Sequence, residues 1–190
     1  MLNRKDAYFM KAKREGYVAR SAYKLIELNR KYNLIKKDDV VLDLGSSPGS
    51  WVQVCLKLKV RRIVGVDLEQ SKIDNENFEF INESIGSLKV KEMGKFDAVL
   101  SDVAPNTSGH MDAENSIDLT KDAFQIARKV LKPNGNFLAK VFQGTGFEEL
   151  IRDVRKDFEF FKISKPKASR KESKEIYLVG KGFKNTKVYK

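Results

Sequence analysis

The sequence predicts a three-layer α/β sandwich with a mostly parallel sheet, and three observations carry that prediction. Short β-branched runs alternate with longer stretches of helical apolar spacing along most of the chain. Such alternation requires crossover connections, which join parallel neighbours in a right-handed sense. The 190 residues, 41% of them hydrophobic, suffice for one core of this kind, with no internal repeat or interdomain linker.

Residues 20–32 place Ala22, Leu25, Ile26, Leu28 and Tyr32 at mostly helical intervals among charged residues, which predicts an amphipathic helix. VVLDLG, residues 40–45, is a β-branched run stopped by Gly45; a helix over 50–59 follows, with Trp51, Val52 and Val54 in its first turns. RIVGVDL (62–68) is the second strand, FEFI (78–81) a weaker third and FDAVLSD (96–102) a strong fourth. SIDLTKDAFQIARKVL (116–131) reads as a helix closed by the turn KPNG, and NFLAKVF (136–142) as the fifth strand. A helix near 147–157 leads to FEFFKIS (158–164) and EIYLVG (175–180), which are separated by the charged loop KPKASRKESK. Residues 1–38 form a basic, helical N-terminal segment, and 39–183 form the core of a single domain.

The formal net charge is +11, and it is concentrated at the two ends. Residues 1–40 carry 11 Lys/Arg against 5 Asp/Glu, residues 152–190 carry 13 against 5, and residues 41–151 carry 13 against 16. Basic flanks suit a polyanion such as nucleic acid, because neutralised phosphates release counterions. On charge alone, a solvated Lys-rich surface with charge networks fits as well. Cys55, the one cysteine, has no internal disulfide partner, and the opening residues lack the apolar stretch of a signal peptide, so a cytoplasmic location is expected. No apolar run approaches the ~20 residues that span a bilayer, and a single His with a single Cys excludes a His/Cys zinc site.

In sheets of this kind, ligands sit at the carboxyl ends of the strands. The first strand ends in DLGSSPGSW, where Gly45 and Gly49 flank a tight turn into a helix. Asp67 ends the second strand 22 residues after Gly45, a spacing at which a carboxylate accepts from both hydroxyls of a ribose. Together they describe a nucleoside pocket, although each alone also fits an ordinary turn. The G-x-x-x-G spacing is not the pyrophosphate fingerprint, and no phosphate-loop motif is present. Asp43, entering the turn, suits the cationic amino-acid end of S-adenosylmethionine. Trp51 fits either a pocket wall or a partly buried core position. Asp102, in SDVAPN after the fourth strand, fits the same crevice or a turn-forming role. Lys140 inside an apolar strand and Lys24 among Tyr23, Leu25 and Ile26 are costly unless paired, deprotonated or snorkelling. His110 reads as a solvated loop residue, and Cys55 as a small core residue.

The segments YFMKAKREGYVARSAYKL, VLDLGSSPGSW, SDVAPN, KVFQGTGFEEL and SKEIYLVGKGF, in this order, resemble the FtsJ/RrmJ family of RNA ribose 2′-O-methyltransferases over about residues 6–183. The resemblance implies a Rossmann-like methyltransferase fold with a seven-stranded sheet, S-adenosylmethionine as cofactor and RNA as partner. It implies that Lys24, Asp102, Lys140 and Glu175 form the family's Lys-Asp-Lys-Glu tetrad. Cofactor contacts carry over to Gly49, Trp51, Asp67 and Asp102, with Gly45 in the same turn. Where the family often has an acidic residue for the adenine amino group, FINESI offers Ser84, with Glu83 one position earlier. KVFQGTGF and KAKREGY are most similar to members that methylate a uridine ribose of large-subunit ribosomal RNA; siblings act on tRNA anticodon loops or mRNA caps. The expected enzyme is a metal-free monomer. Its RNA would be gripped by Arg4, Lys5, Lys11, Lys13, Arg14 and Arg20 and by Lys165, Lys167, Arg170 and Lys171, with Tyr8, Phe9 or Tyr17 stacking on a base. An amino-group methyltransferase would show an Asn/Asp-Pro-Pro-aromatic run in place of SDVAPN, and a non-catalytic RNA-binding module gives Lys140 and Glu175 no role.

Overall fold

The computed structural model describes residues 4–105, 112–170 and 172–184. His110 and Lys171, together with the side chains of Arg4 and Lys5, lie outside the described residues. The seven predicted strands form one sheet in the order β3-β2-β1-β4-β5-β7-β6. They are β1 (Val40–Leu44), β2 (Arg62–Asp67), β3 (Phe78–Asn82), β4 (Phe96–Ser101), β5 (Leu131–Phe142), β6 (Phe158–Ser164) and β7 (Glu175–Phe183). The first five run parallel, and β7 enters antiparallel between β5 and β6.

Alternation along the central strands makes the two outer layers. Val41 faces one core with Ala98 and Leu138, beneath α2 (Ala22–Tyr32) and α3 (Ser50–Lys57). Leu42 and Leu44 face the other, beneath α4 (Asp112–Val130) and α5 (Phe147–Lys156). The N-terminal α1 (Arg4–Arg14) lies against α2. α2 ends because Asn33 turns left-handed (φ 52°), while the Asn29 side chain accepts from the N–H groups of Leu34 and Ile35. α5 carries Glu148 and Glu149 in its first turn and Arg155 and Lys156 in its last, matching the helix dipole at both ends.

Several boundaries differ from the sequence reading, and α4 starts at Asp112, four residues before the predicted Ser116. The residues KPNG lie within β5, which starts directly after α4 and shifts register against β4 between Phe96 and Ala98. α3 stops two residues short of the predicted Lys59, at Lys57, and β7 continues to Phe183. No helix among the described residues is long and apolar enough to cross a membrane.

Candidate active site

The order of strands reverses between β1 and β4, and the functional residues collect at the tips of this pair and its neighbours. Gly45 (φ 78°) turns the chain off β1; a Cβ there would sit 2.8 Å from the Val103 nitrogen. Gly49 (φ 109°) starts α3, and a Cβ there would overlap the Ile73 side chain. The Gly45 N–H donates to the Val66 carbonyl at 2.8 Å, and the Asp102 N–H donates to the Leu44 carbonyl at 3.1 Å, so the loops after β1 and β4 are tied to the strand tips. The Asp67 carboxylate accepts from the N–H groups of Ser47 and Glu69, both at 2.9 Å, which fixes its orientation at the end of β2. A cleft of about 380 Å³ opens above these tips. Gly45, Asp67 and Asp102 line it, with Leu68, Ile85, Pro105 and Leu119 as apolar walls and both Glu83 and Ser84 at its edge.

Trp51 and Gly49 are not among the residues that line this cleft. The Trp51 ring is 3% exposed in the α2/α3 core, and its Nε1–H donates to the Ser21 carbonyl at 3.0 Å, which joins α3 to the start of α2. Beneath the turn, Asp43 is fully buried, and neither of its carboxylate oxygens has a hydrogen-bond partner among the described residues. The Ser46 hydroxyl is buried in the same way. Burial, reinforced by the charges of Asp102 and Asp67, pushes the Asp43 carboxyl well above its ordinary range. An acceptor set of this kind fits a cationic ligand group and a ribose, the two polar ends of S-adenosylmethionine.

The four tetrad positions form two ion pairs. Lys140, on β5, is 7% exposed; its Nζ donates to the Asp102 carbonyl at 2.7 Å and lies 3.2 Å from Asp102 Oδ1. Lys24, on α2, lies 2.7 Å from Glu175 Oε1 and donates to Glu175 Oε2 at 2.8 Å. Pairing therefore offsets the cost of both lysines, and neither extends into solvent. Burial opposes the Glu175 charge, but the adjacent Lys24 ammonium outweighs it and holds the carboxyl below its usual range.

Tyr177 joins the two pairs, and the sequence reading passed over it. It faces Lys140 directly across the β5/β7 ladder. Its hydroxyl donates to Asp102 Oδ1 at 3.0 Å, and the Lys24 Nζ stands 5.9 Å from its ring centroid. Burial, together with the Asp102 and Glu175 charges, pushes its phenol well up, so it stays a donor. Tyr177 shares a strand face with Glu175, two residues away, and that spacing was the available signal.

A second cleft, of about 530 Å³, adjoins the Lys24–Glu175 pair and is lined by Arg20, Ser21, Arg170, Glu172 and Ser173 as well, so that three cationic side chains face two carboxylates. Of the aromatic residues proposed to stack on RNA, Tyr8 and Tyr17 pack against Tyr23, with the Arg20 guanidinium 5.7 Å from the Tyr8 ring and the Lys57 ammonium 3.8 Å from the Tyr17 ring. Phe9 is 57% exposed. Cys55 is buried in the α2/α3 core, as the sequence predicts.

A glycine turn after β1 and a carboxylate at the tip of β2, set at a topological switch point, define a nucleoside-binding α/β fold. The FtsJ-like methyltransferase family model matches residues 17–183, and the chain belongs to that family. The ribosomal RNA large subunit methyltransferase E of Methanococcoides burtonii is 46% identical over 188 residues, 94% of this chain and 70% of that protein. Its namesake from Archaeoglobus fulgidus is 44% identical over 191 residues, 97% of this chain and 99% of that protein. A solved structure described as a ribosomal RNA methyltransferase from Plasmodium falciparum is 33% identical with a TM-score of 0.76, covering 88% of this chain and 98% of that one.

Proposed function

We propose that the protein transfers a methyl group from S-adenosylmethionine to the ribose 2′-hydroxyl of a uridine in large-subunit ribosomal RNA. The observation that carries this reading is the pair of buried lysines, Lys24 and Lys140, each held by a carboxylate between a nucleoside-sized cleft and a second one that carries three cationic side chains. The names of the archaeal relatives support the choice of RNA. The proposal extends to a cytoplasmic enzyme that acts as a monomer on RNA within ribosomal particles.

The cofactor, when bound, supplies an electrophilic methyl group on a sulfonium. The remaining work falls to side chains. Asp67, already oriented by Ser47 and Glu69, keeps lone pairs free for the ribose hydroxyls of the cofactor, and Asp43 faces its cationic end. The turn at Gly45 and Gly49 lets backbone approach the ligand. Trp51 acts by fixing the junction between α2 and α3. Glu83 and Ser84 stand where the adenine edge would lie. On the acceptor side, Asp102 aligns Lys140, whose Nζ, as a neutral amine, receives the hydroxyl proton as the new C–O bond forms and becomes an ammonium, and Lys24, steadied by Glu175, stabilises the charge that develops on oxygen.

Large-subunit particles from a strain lacking this gene, incubated with the protein and labelled cofactor, test the proposal. Label should appear as a 2′-O-methyluridine on mass-spectrometric mapping; label in base or protein alone would reject it. Lys140→Ala should lower transfer by about 10²–10⁴-fold while calorimetry gives a cofactor affinity within about tenfold of the parent. Normal turnover by that variant would remove Lys140 from the chemistry.

A further inference from the structure

The two walls of the basic cleft come from opposite ends of the chain. Arg20 and Lys24 stand on the α2 side, while Arg170, Ser173 and Glu175 belong to the β6–β7 loop and the first residue of β7. One side chain ties the walls together. The Glu27 carboxylate, one helical turn beyond Lys24, accepts from the Lys167 N–H at 2.9 and 2.8 Å and from the Ala168 N–H at 3.4 Å. From the other direction, Arg20 Nη2 donates to the Ala168 carbonyl at 2.8 Å. The turn itself is closed by the Ser169 N–H bonding to the Pro166 carbonyl at 3.0 Å, and Ala168 is 1% exposed, packed with Ala12 and Tyr23.

Successive backbone N–H groups that converge on a carboxylate form a small anion-binding nest, and such charge-assisted bonds are stronger than neutral ones. We propose that Glu27 is a positioning residue: it clasps the turn at 166–169 onto α2 and so sets the width of the basic cleft in which the acceptor nucleotide sits. This rests on the RNA methyl-transfer reading above. Glu27 touches none of the reacting groups. It acts through the loop, whose next residues bring Arg170 and Ser173 to the cleft and end at Glu175, the partner of Lys24. Without the clasp, the loop keeps its end at Glu175 and loses its apex, so the far wall moves while the chemistry stays intact.

The test compares the full-length protein with Glu27→Ala, which removes both acceptor oxygens, and Glu27→Gln, which keeps one. Three quantities are read: amide exchange across 165–173 without cofactor or RNA, steady-state kinetics on large-subunit particles, and cofactor affinity by calorimetry. For Glu27→Ala, exchange at Lys167 and Ala168 should rise at least about tenfold, KM for RNA about tenfold, with kcat and cofactor affinity within about twofold. Glu27→Gln should fall between Glu27→Ala and the parent. Unchanged exchange overturns the clasp, and raised exchange with unchanged KM overturns the positioning role. Loss of cofactor affinity in step with KM marks general damage and also overturns it. Should Glu27→Ala fail to fold, Glu27→Gln carries the same three measurements. If the unaltered protein methylates no RNA, the functional reading fails, and amide exchange still decides the clasp.

Discussion

Asp43 shows how one side chain links stability to ligand chemistry. Its carboxyl is buried without a partner among the described residues, and burial holds it protonated beyond the ordinary range. Below the unfolded-state value of about 4, the group is neutral in both states and its contribution to stability is complete. As pH rises above that value, the unfolded chain ionises while the folded one does not, and stability drains away until the folded group titrates. Asparagine has the same shape and no such drain. Asp43→Asn should therefore raise the Tm at pH 8 and leave it unchanged near pH 3, while cofactor affinity falls about tenfold because an amide, unlike the carboxyl, cannot ionise when a cation binds beside it. Equal Tm values at pH 8 would contradict this reading. The sequence placed Asp43 at the turn and marked Lys24 and Lys140 as costly in apolar surroundings. It did not show which carboxylate each lysine meets, because those partners lie 151 and 38 positions away. Nor did it single out Tyr177, since a tyrosine in a strand is ordinary until its neighbours across the sheet are known.

At the scale of elements, the strands were legible wherever both faces are buried, because a run such as VVLDL has no other stable setting. α1 was less distinct: Ala12 is its one fully buried residue among those whose side chains are described, so its apolar period is faint. The antiparallel entry of β7 was not legible either, since alternation records faces and not direction. What holds β7 in place is visible in the packing at Gly180. It pairs with Phe137 on β5 and Phe161 on β6, and a Cβ there would come 2.7 Å from the Phe158 ring. That ring cannot easily yield, being stacked on Phe137 at 6.1 Å and tilted against Phe124 and Phe183. Gly180→Ala should cost about 1–3 kcal/mol, seen as a lower urea midpoint with an unchanged m value. A midpoint equal to the parent's would show that the cluster can repack.

Across the whole molecule, the two basic ends of the sequence meet. Arg20 reaches the backbone of Ala168, and Glu27 reaches that of Lys167, so α2 and the β6–β7 loop border one cleft. The excess of positive charge at each end was plain from composition, but their convergence depends on which helix covers which strand, and no local pattern records that. If this face grips the phosphates, RNA affinity should fall at least about tenfold between 50 and 200 mM salt, as ~3 phosphate contacts require, while cofactor affinity changes less than about twofold. A salt-independent RNA affinity would place the RNA elsewhere.

β7 is the last strand among the described residues, yet it lies inside the sheet, with β6 beyond it. A ribosome making this protein therefore exposes a finished β1–β5 platform, complete with its glycine turn, while β6 still has nothing to pair with. Only the arrival of β7 lets β6 close the edge and delivers Glu175 to Lys24. The order of elements thus divides the site along the chain: the cleft and the Lys140–Asp102 pair are complete with β1–β5, whereas the Lys24–Glu175 pair waits for β7.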